Sequence, residues 1–145
     1  MLSLPTVRVN RKAADRVASG HPWIFASDVI DRGSALAGDA VRVVDFKGQI
    51  LGTAHFSSTS QISLRLLSQH VEHVDESFLL KRVEAAYAFR ERIVSNSDAY
   101  RLIHAEGDLL PGLIADRYGD YLAVQLLDQG MDRLATELVS VFHAL

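Results

Sequence analysis

The stretch 101–125, RLIHAEGDLLPGLIADRYGDYLAVQ, leaves this chain few folding options, because two turn signals cut it into three short apolar runs. Gly119-Asp120 separates Leu113–Ala115 from Tyr121–Leu127. Both turn residues tolerate the positive φ of tight hairpins. Upstream, Glu106-Gly107-Asp108 and Leu110-Pro111-Gly112 form the second signal. There Pro presets φ and Gly accepts left-handed geometry. Arg101–His104, Gly112–Tyr118 and Tyr121–Leu127 are therefore predicted as consecutive strands of one sheet.

The rest of the chain divides around that sheet. Val7–Asn10 reads as a strand and Arg11–Ser19 as a helix with Ala14, Val17 and Ala18 on its apolar side. Asn10 is its expected N-cap and Gly20 its stop. Asp39–Asp45, Gln49–Phe56 and Gln61–Leu67 are strand candidates joined by Phe46-Lys47-Gly48 and Ser57–Ser60. Gln69–Asp75 lacks periodicity and is the expected linker. Glu76–Val94 is the clearest helix, with Asp75 as N-cap and Phe78, Leu79, Leu80, Val83, Ala86, Tyr87, Phe89, Ile93 and Val94 in a broad apolar stripe. Met131–Leu145 begins another helix. Short strands with one short helix suit a small mixed barrel in the first part; helix, three strands and helix suit an α/β unit in the second.

These motifs, in this order, resemble a known family. Gly20-His21-Pro22-Trp23-Ile24-Phe25, Gly38-Asp39, Ile62–Leu67, Tyr100–Leu102 and EGDLLPGLIADRYGD are similar to the N-terminal portion of bacterial S-adenosylmethionine-dependent 23S rRNA (cytosine-5) methyltransferases that carry a PUA-type RNA-binding domain. The resemblance covers nearly the whole chain. It implies an α+β fold, with a PUA-like small β-barrel at 1–70 followed by the start of a central α/β domain at 74–145, and no Rossmann-like methyltransferase domain within these residues. It also implies S-adenosylmethionine as cofactor of a longer protein, ribosomal RNA as partner and methyl transfer to a cytosine, although relatives of the family also modify guanosine. Because the family attacks its pyrimidine with a cysteine thiolate, a chain with no cysteine is expected to be inactive alone. It has no GxGxxG-like cofactor loop after a strand. It stops at Leu145 within an apolar helix without a Gly, Asn or Pro signal. Together these features lead us to expect an N-terminal portion with no catalytic, cofactor-binding or metal-binding residues of its own.

Charge points to where RNA would be met. Residues 1–70 carry eight Lys/Arg against five Asp, whereas residues 71–145 carry seven Lys/Arg against thirteen Asp/Glu. Arg8, Arg11, Lys12 and Arg16 fall on the first strand and helix, with Lys12 and Arg16 four apart on one face. Such a face can neutralise successive phosphates. The plainer alternative is a solvated helix with Asp15 pairing to Arg11. His21 and Trp23 follow immediately, and aromatics beside cations can stack on unpaired bases. Against that, a lone Trp in a small domain more often anchors the core, and we expect Phe25, and also Trp23, in the core.

Other chemistry has less support. Glu106, Asp108, Asp116 and Asp120 could ligate a cation or form an acid–base pair, but most sit at turns, where carboxylates cap amides. His104 beside them has no GxSxG nucleophile. His70 and His73 lack the partners zinc needs. No apolar run approaches the roughly 18–20 residues of a membrane span, and the opening MLSLPTVRVNRK has no leader architecture. Zero cysteines fits a cytoplasmic setting. RNA is the expected partner, no membrane contact is expected, and a homodimer stays open. The rivals are a stand-alone RNA-binding or interaction module and a small hydrolase built on His104.

Overall fold

The computed structural model describes residues 3–145; Met1 and Leu2, the start of the stretch read as lacking a leader, lie outside the described residues. The chain separates into two units, Met1–His73 and Val74–Leu145.

In the first unit, β1 (Thr6–Val9), α1 (Arg11–Ala18), β2 (Trp23–Phe25), a 3-10 turn (Ala26–Asp28), β3 (Val29–Asp31), β4 (Ala40–Val44), β5 (Ile50–Phe56) and β6 (Ile62–Ser68) follow in order. They build one six-stranded sheet ordered β2-β6-β5-β4-β1-β3. Every pair is antiparallel except β1 beside β4. The sheet folds around a single apolar face: Val7, Val9, Ala13, Ile24, Val41, Val43, Ala54, Phe56 and Leu64 form its core. Period-2 alternation selects them, since Arg8 and Arg42 fall between valines and face the other way. Gly52 is where β5 passes closest to its neighbour. Its φ is +149°, and a Cβ there would sit 2.0 Å from the Ser68 carbonyl oxygen, beside a register shift in the β5–β6 ladder.

Helix α1 begins where expected: the Asn10 side chain accepts from the Ala13 amide at 2.9 Å. Its buried side is different from the one read in the sequence. Ala13 is fully buried and Val17, a turn later, packs half-buried against the core, whereas Ala14 is half-buried and Ala18 exposed. Eight residues of mixed alanine offer several equivalent faces, and the docking of the helix against the sheet selected one. The segment read as a linker is also more ordered than its composition suggested. The buried Thr53 hydroxyl donates to the His70 carbonyl (2.6 Å) and accepts from the Glu72 amide (3.1 Å).

The second unit comprises α2 (Glu76–Ile93), β7 (Ala99–His104), a 3-10 turn (Ala105–Asp108), β8 (Leu113–Tyr118), β9 (Tyr121–Leu126), α3 (Gln129–Arg133) and α4 (Ala135–His143). The three strands form an antiparallel sheet ordered β7-β8-β9. Asp75 caps α2 through the Phe78 amide at 2.9 Å. Phe78, Leu79, Val83 and Ala86 are its buried positions. Phe89 and Ile93, read as part of the stripe, are exposed; Arg90 occupies the inward side of that last turn instead. The final helix is broken rather than continuous. Asp128 caps α3 through Met131 N–H (2.8 Å), and Leu134 separates α3 from α4. In the β8–β9 hairpin only Gly119 has positive φ (+63°). A two-residue loop with Gly first and Asp in an ordinary conformation matches a II′-type turn.

Candidate nucleic-acid interface

The basic residues singled out on β1 and α1 gather in two places on the first unit. Arg8 reaches the β4–β5 turn, where its Nη1 donates to the carbonyls of Asp45 (3.3 Å) and Phe46 (3.2 Å). Arg11 lies over the Phe46 ring at 4.9 Å, with Lys47 at 5.6 Å from the same ring. The turn that displays Phe46 is set by Asp45, whose carboxylate accepts from the Lys47 (2.8 Å) and Gln49 (2.9 Å) amides. Lys12 is exposed on α1. One group is thus two cations around an exposed aromatic ring, on a turn that Arg8 holds through its Nη1.

The second group lies at the other end of α1. Arg16 stacks over Phe25 at 4.9 Å and bridges to Asp28 at 3.3 Å. Asp28 is buried and also accepts from Asn10 Nδ2 at 3.1 Å. Arg16 is therefore part structural: it neutralises a buried carboxylate, and removing it leaves that charge unpaired. His21 and Trp23 meet edge to face at 5.7 Å, and His21 Nδ1 accepts from the Trp23 amide at 3.2 Å.

Trp23 and Phe25 correct the expectation of a core role. Ile24 between them is fully buried and pairs with core Leu64, so strand alternation turns both aromatics outward, half-buried beside cations. Across the ladder Trp23 faces Arg65. Phe25, Phe46, Lys47 and Arg65 were missed as site residues. Long-range pairing brings Phe46 with Lys47 to Arg11 and sets Arg65 opposite Trp23, and no local pattern marks it.

In the second unit two acidic residues of the motif stretch, Asp108 and Asp116, serve the backbone and neighbouring arginines. Asp108 accepts both Arg90 guanidinium nitrogens (2.7 and 2.8 Å) and the His104 amide (2.6 Å). Asp116 takes Arg101 Nε and Nη2 at 2.8 and 3.2 Å. That hydrogen bond is the chief reason the Asp116 carboxyl titrates below its ordinary range and Arg101 above its own. Arg117 donates to Tyr100 Oη at 2.9 Å, which raises its pKa. Among the described residues no group of His, Asp or Glu could hold a metal ion. No helix there is long and apolar enough to cross a membrane.

Comparison with known proteins agrees with this architecture. Residues 7–69 match the family model described as a PUA-like domain. Ribosomal RNA large subunit methyltransferase I of Tolumonas auensis is 39% identical over 145 residues, covering 97% of this chain and 36% of the relative. Its counterpart in Shewanella amazonensis is 40% identical over 125 residues, covering 83% and 32%. The chain thus spans about a third of the length of the curated relatives it matches. A SAM-dependent methyltransferase structure from Streptococcus mutans superposes with a TM-score of 0.84 at 20% identity, over 97% of this chain and 38% of that one. A methyltransferase solved with SAH gives 0.86 at 20% identity, over 97% and 37%. At that identity the structural likeness is one of fold.

Proposed function

We propose that this chain, a relative of the large-subunit ribosomal RNA methyltransferases with a PUA-like domain at 7–69, is the RNA grip of an S-adenosylmethionine-dependent enzyme that methylates carbon-5 of a cytosine in 23S rRNA. One observation carries the grip: α1 places Arg11 beside Phe46 and Lys47 at one end, with Lys12 exposed next to it, and Arg16 beside Phe25 at the other, with His21 and Trp23 next in the chain. Cations along a helix track phosphates, and half-exposed rings next to them stack on unpaired bases. Arg8 acts indirectly by holding the Phe46 turn.

The cofactor has no seat among the described residues. Nucleotide cofactors take a glycine-rich turn from a parallel strand into a bare helix N-terminus. Here the helices that follow strands, α1 and α3, have their first amides capped by Asn10 and Asp128, and the second sheet is wholly antiparallel. These residues do not fit S-adenosylmethionine, and no step of the transfer is assigned to them.

Binding of a 23S rRNA fragment across a salt series tests the grip. Arg11→Ala with Lys12→Ala should weaken affinity and reduce the slope of log K against log salt by about 1.4 to 1.8, at roughly 0.7 to 0.9 per phosphate contact. An unchanged slope removes this surface. Bisulfite sequencing of 23S rRNA from cells lacking the gene tests the reaction: one 5-methylcytosine should vanish, and an unaltered pattern refutes the assigned base.

A further inference from the structure

The outer face of the first sheet carries an arginine that the fold holds in place and leaves unspent. Alternation sends Val41 and Val43 of β4 into the core and turns Arg42 to the opposite face, half-buried. Its Nε is shut off from solvent without an acceptor. Its Nη1 and Nη2, which stay open to solvent, make no hydrogen bond or ion pair among the described residues either. Buried polar groups are nearly always satisfied, so a guanidinium left this way calls for an explanation. Walling in Nε also fixes the plane of the fork, and its two free nitrogens are presented together.

The neighbours on that face set the sign of what it meets. Thr6 stands directly opposite Arg42 in the β1–β4 ladder, exposed, with a hydroxyl that makes no hydrogen bond among the described residues. Thr53 flanks Arg42 on β5, but its hydroxyl is taken up by the His70 carbonyl and the Glu72 amide. One row along, Arg65 stands between His55 and Trp23, and in the other direction Arg8 stands opposite Val44. Two carboxylates are near. Asp31 accepts from the Gly33 amide at 2.8 Å, and Glu72 accepts from the Ser68 hydroxyl. Neither pairs with Arg42. Three arginines thus share the face, and Arg42 is the one with no side-chain partner.

Shape selects among anions. A guanidinium edge takes two oxygens side by side, which carboxylate and phosphate both supply. Carboxylate oxygens accept near their own plane, whereas a tetrahedral phosphate also presents acceptors out of that plane, toward a hydroxyl such as that of Thr6. Position supplies the source. Trp23 lies three strands away in the adjoining row, about 15 Å at the usual spacing between strands. A single RNA strand stacked on Trp23 and crossing the sheet brings its backbone over Arg42.

We propose that Arg42, with Thr6 beside it, binds one backbone phosphate of single-stranded RNA on the outer face of this sheet. The inference rests on the RNA-binding reading above and extends it to residues that grip does not use.

Arginine side-chain NMR spectra of the full chain test it, with a single-stranded RNA hexamer, dimethyl phosphate, inorganic phosphate and acetate as probes. The walled-in Arg42 Nε–H should give a slowly exchanging signal before any addition. Hexamer and dimethyl phosphate should shift it saturably, together with the Thr6 amide; acetate at the same concentration should not. Arg42→Lys keeps the charge and loses the fork. It should lower hexamer affinity about tenfold, the worth of one charge-assisted hydrogen bond, with the salt slope unchanged. Arg42→Gln should in addition reduce the slope of log K against log salt by about 0.7. Thr6→Ala, an exposed change that spares the core, should weaken hexamer binding about threefold. An Nε signal that ignores the hexamer, an equal response to acetate, or a response to inorganic phosphate without one to the hexamer would each overturn the proposal. Arg11→Ala with Lys12→Ala should leave the dimethyl phosphate shifts intact. If that pair leaves hexamer binding unchanged while Arg42 still responds, the earlier grip fails and this site stands. If the pair weakens binding while Arg42→Gln binds like the unaltered chain, the reverse holds.

Discussion

Arg101 and Asp116 show how much a single pair can set locally. Their hydrogen bond holds the Asp116 carboxyl below the usual value of about 3.9 for aspartate. A depressed carboxyl contributes stability that is complete above the unfolded-state pKa and is lost as pH falls through the folded-state pKa. Arg101→Gln should therefore bring the Asp116 titration midpoint, followed by carboxyl-carbon NMR, back toward the ordinary range. It should also flatten the acid limb of the stability profile; an unmoved midpoint would show that the pair is not the cause. Arg90 and Asp108 differ in burial, with side chains only 11% and 8% exposed. Arg90→Ala leaves a carboxylate inside without its partner and should cost about 3–5 kcal/mol in chemical denaturation. A loss under 1 kcal/mol would mean that the His104 amide alone satisfies Asp108.

Elements respond to their terminal residues. Asn10 both caps α1 and donates to buried Asp28, so Asn10→Ala should lose about 1–2 kcal/mol. Asn10→Asp would keep the cap but set a second carboxylate against Asp28, and should do no better. Thr53 plays a similar part for the segment after β6. Thr53→Val removes the partner of the His70 carbonyl and the Glu72 amide, and limited proteolysis should then cut between residues 69 and 75 faster than in the unaltered chain. Equal cutting rates would show that these bonds do not restrain the segment. Turns and caps were legible in the sequence because they depend on neighbours a few positions away: Asn10, Asp75, Gly119 and the Glu106–Asp108 turn all stand where local chemistry put them. Which side of α1 is buried, and where the last helix breaks, depends on what each helix packs against. The alanine pair in α1 and Leu134 carry no such information.

For the molecule as a whole, each unit encloses its own apolar core: Val7, Val9, Ile24, Val41, Val43 and Leu64 in one, Leu79, Val83, Ile103, Leu113, Met131 and Leu138 in the other. Residues 1–73 expressed alone should consequently unfold in one cooperative transition with dispersed amide signals. A collapsed spectrum would show that the first core needs residues beyond 73. GHPWIF and EGDLLPGLIADRYGD carry the resemblance to large-subunit rRNA methyltransferases, and both motifs also sit on demanding backbone. The first turns from helix into strand. The second carries a left-handed leucine, a hairpin glycine, and Gly112, where a Cβ would press on the Asp128 carboxylate at 2.6 Å.

Strands, caps and turns were written in short-range patterns, since propensity, alternation and φ preference act within a few residues. The surface proposed to meet RNA was only half written there. Arg11, Lys12 and Arg16 could be read from their helical spacing, but Phe46 reaches Arg11, and Arg65 reaches Trp23, through strand pairings tens of residues apart. Trp23 and Phe25 became outward-facing because Ile24 took the inward position. A one-residue choice of strand face reverses every side chain on it, and that choice was made by the sheet around it.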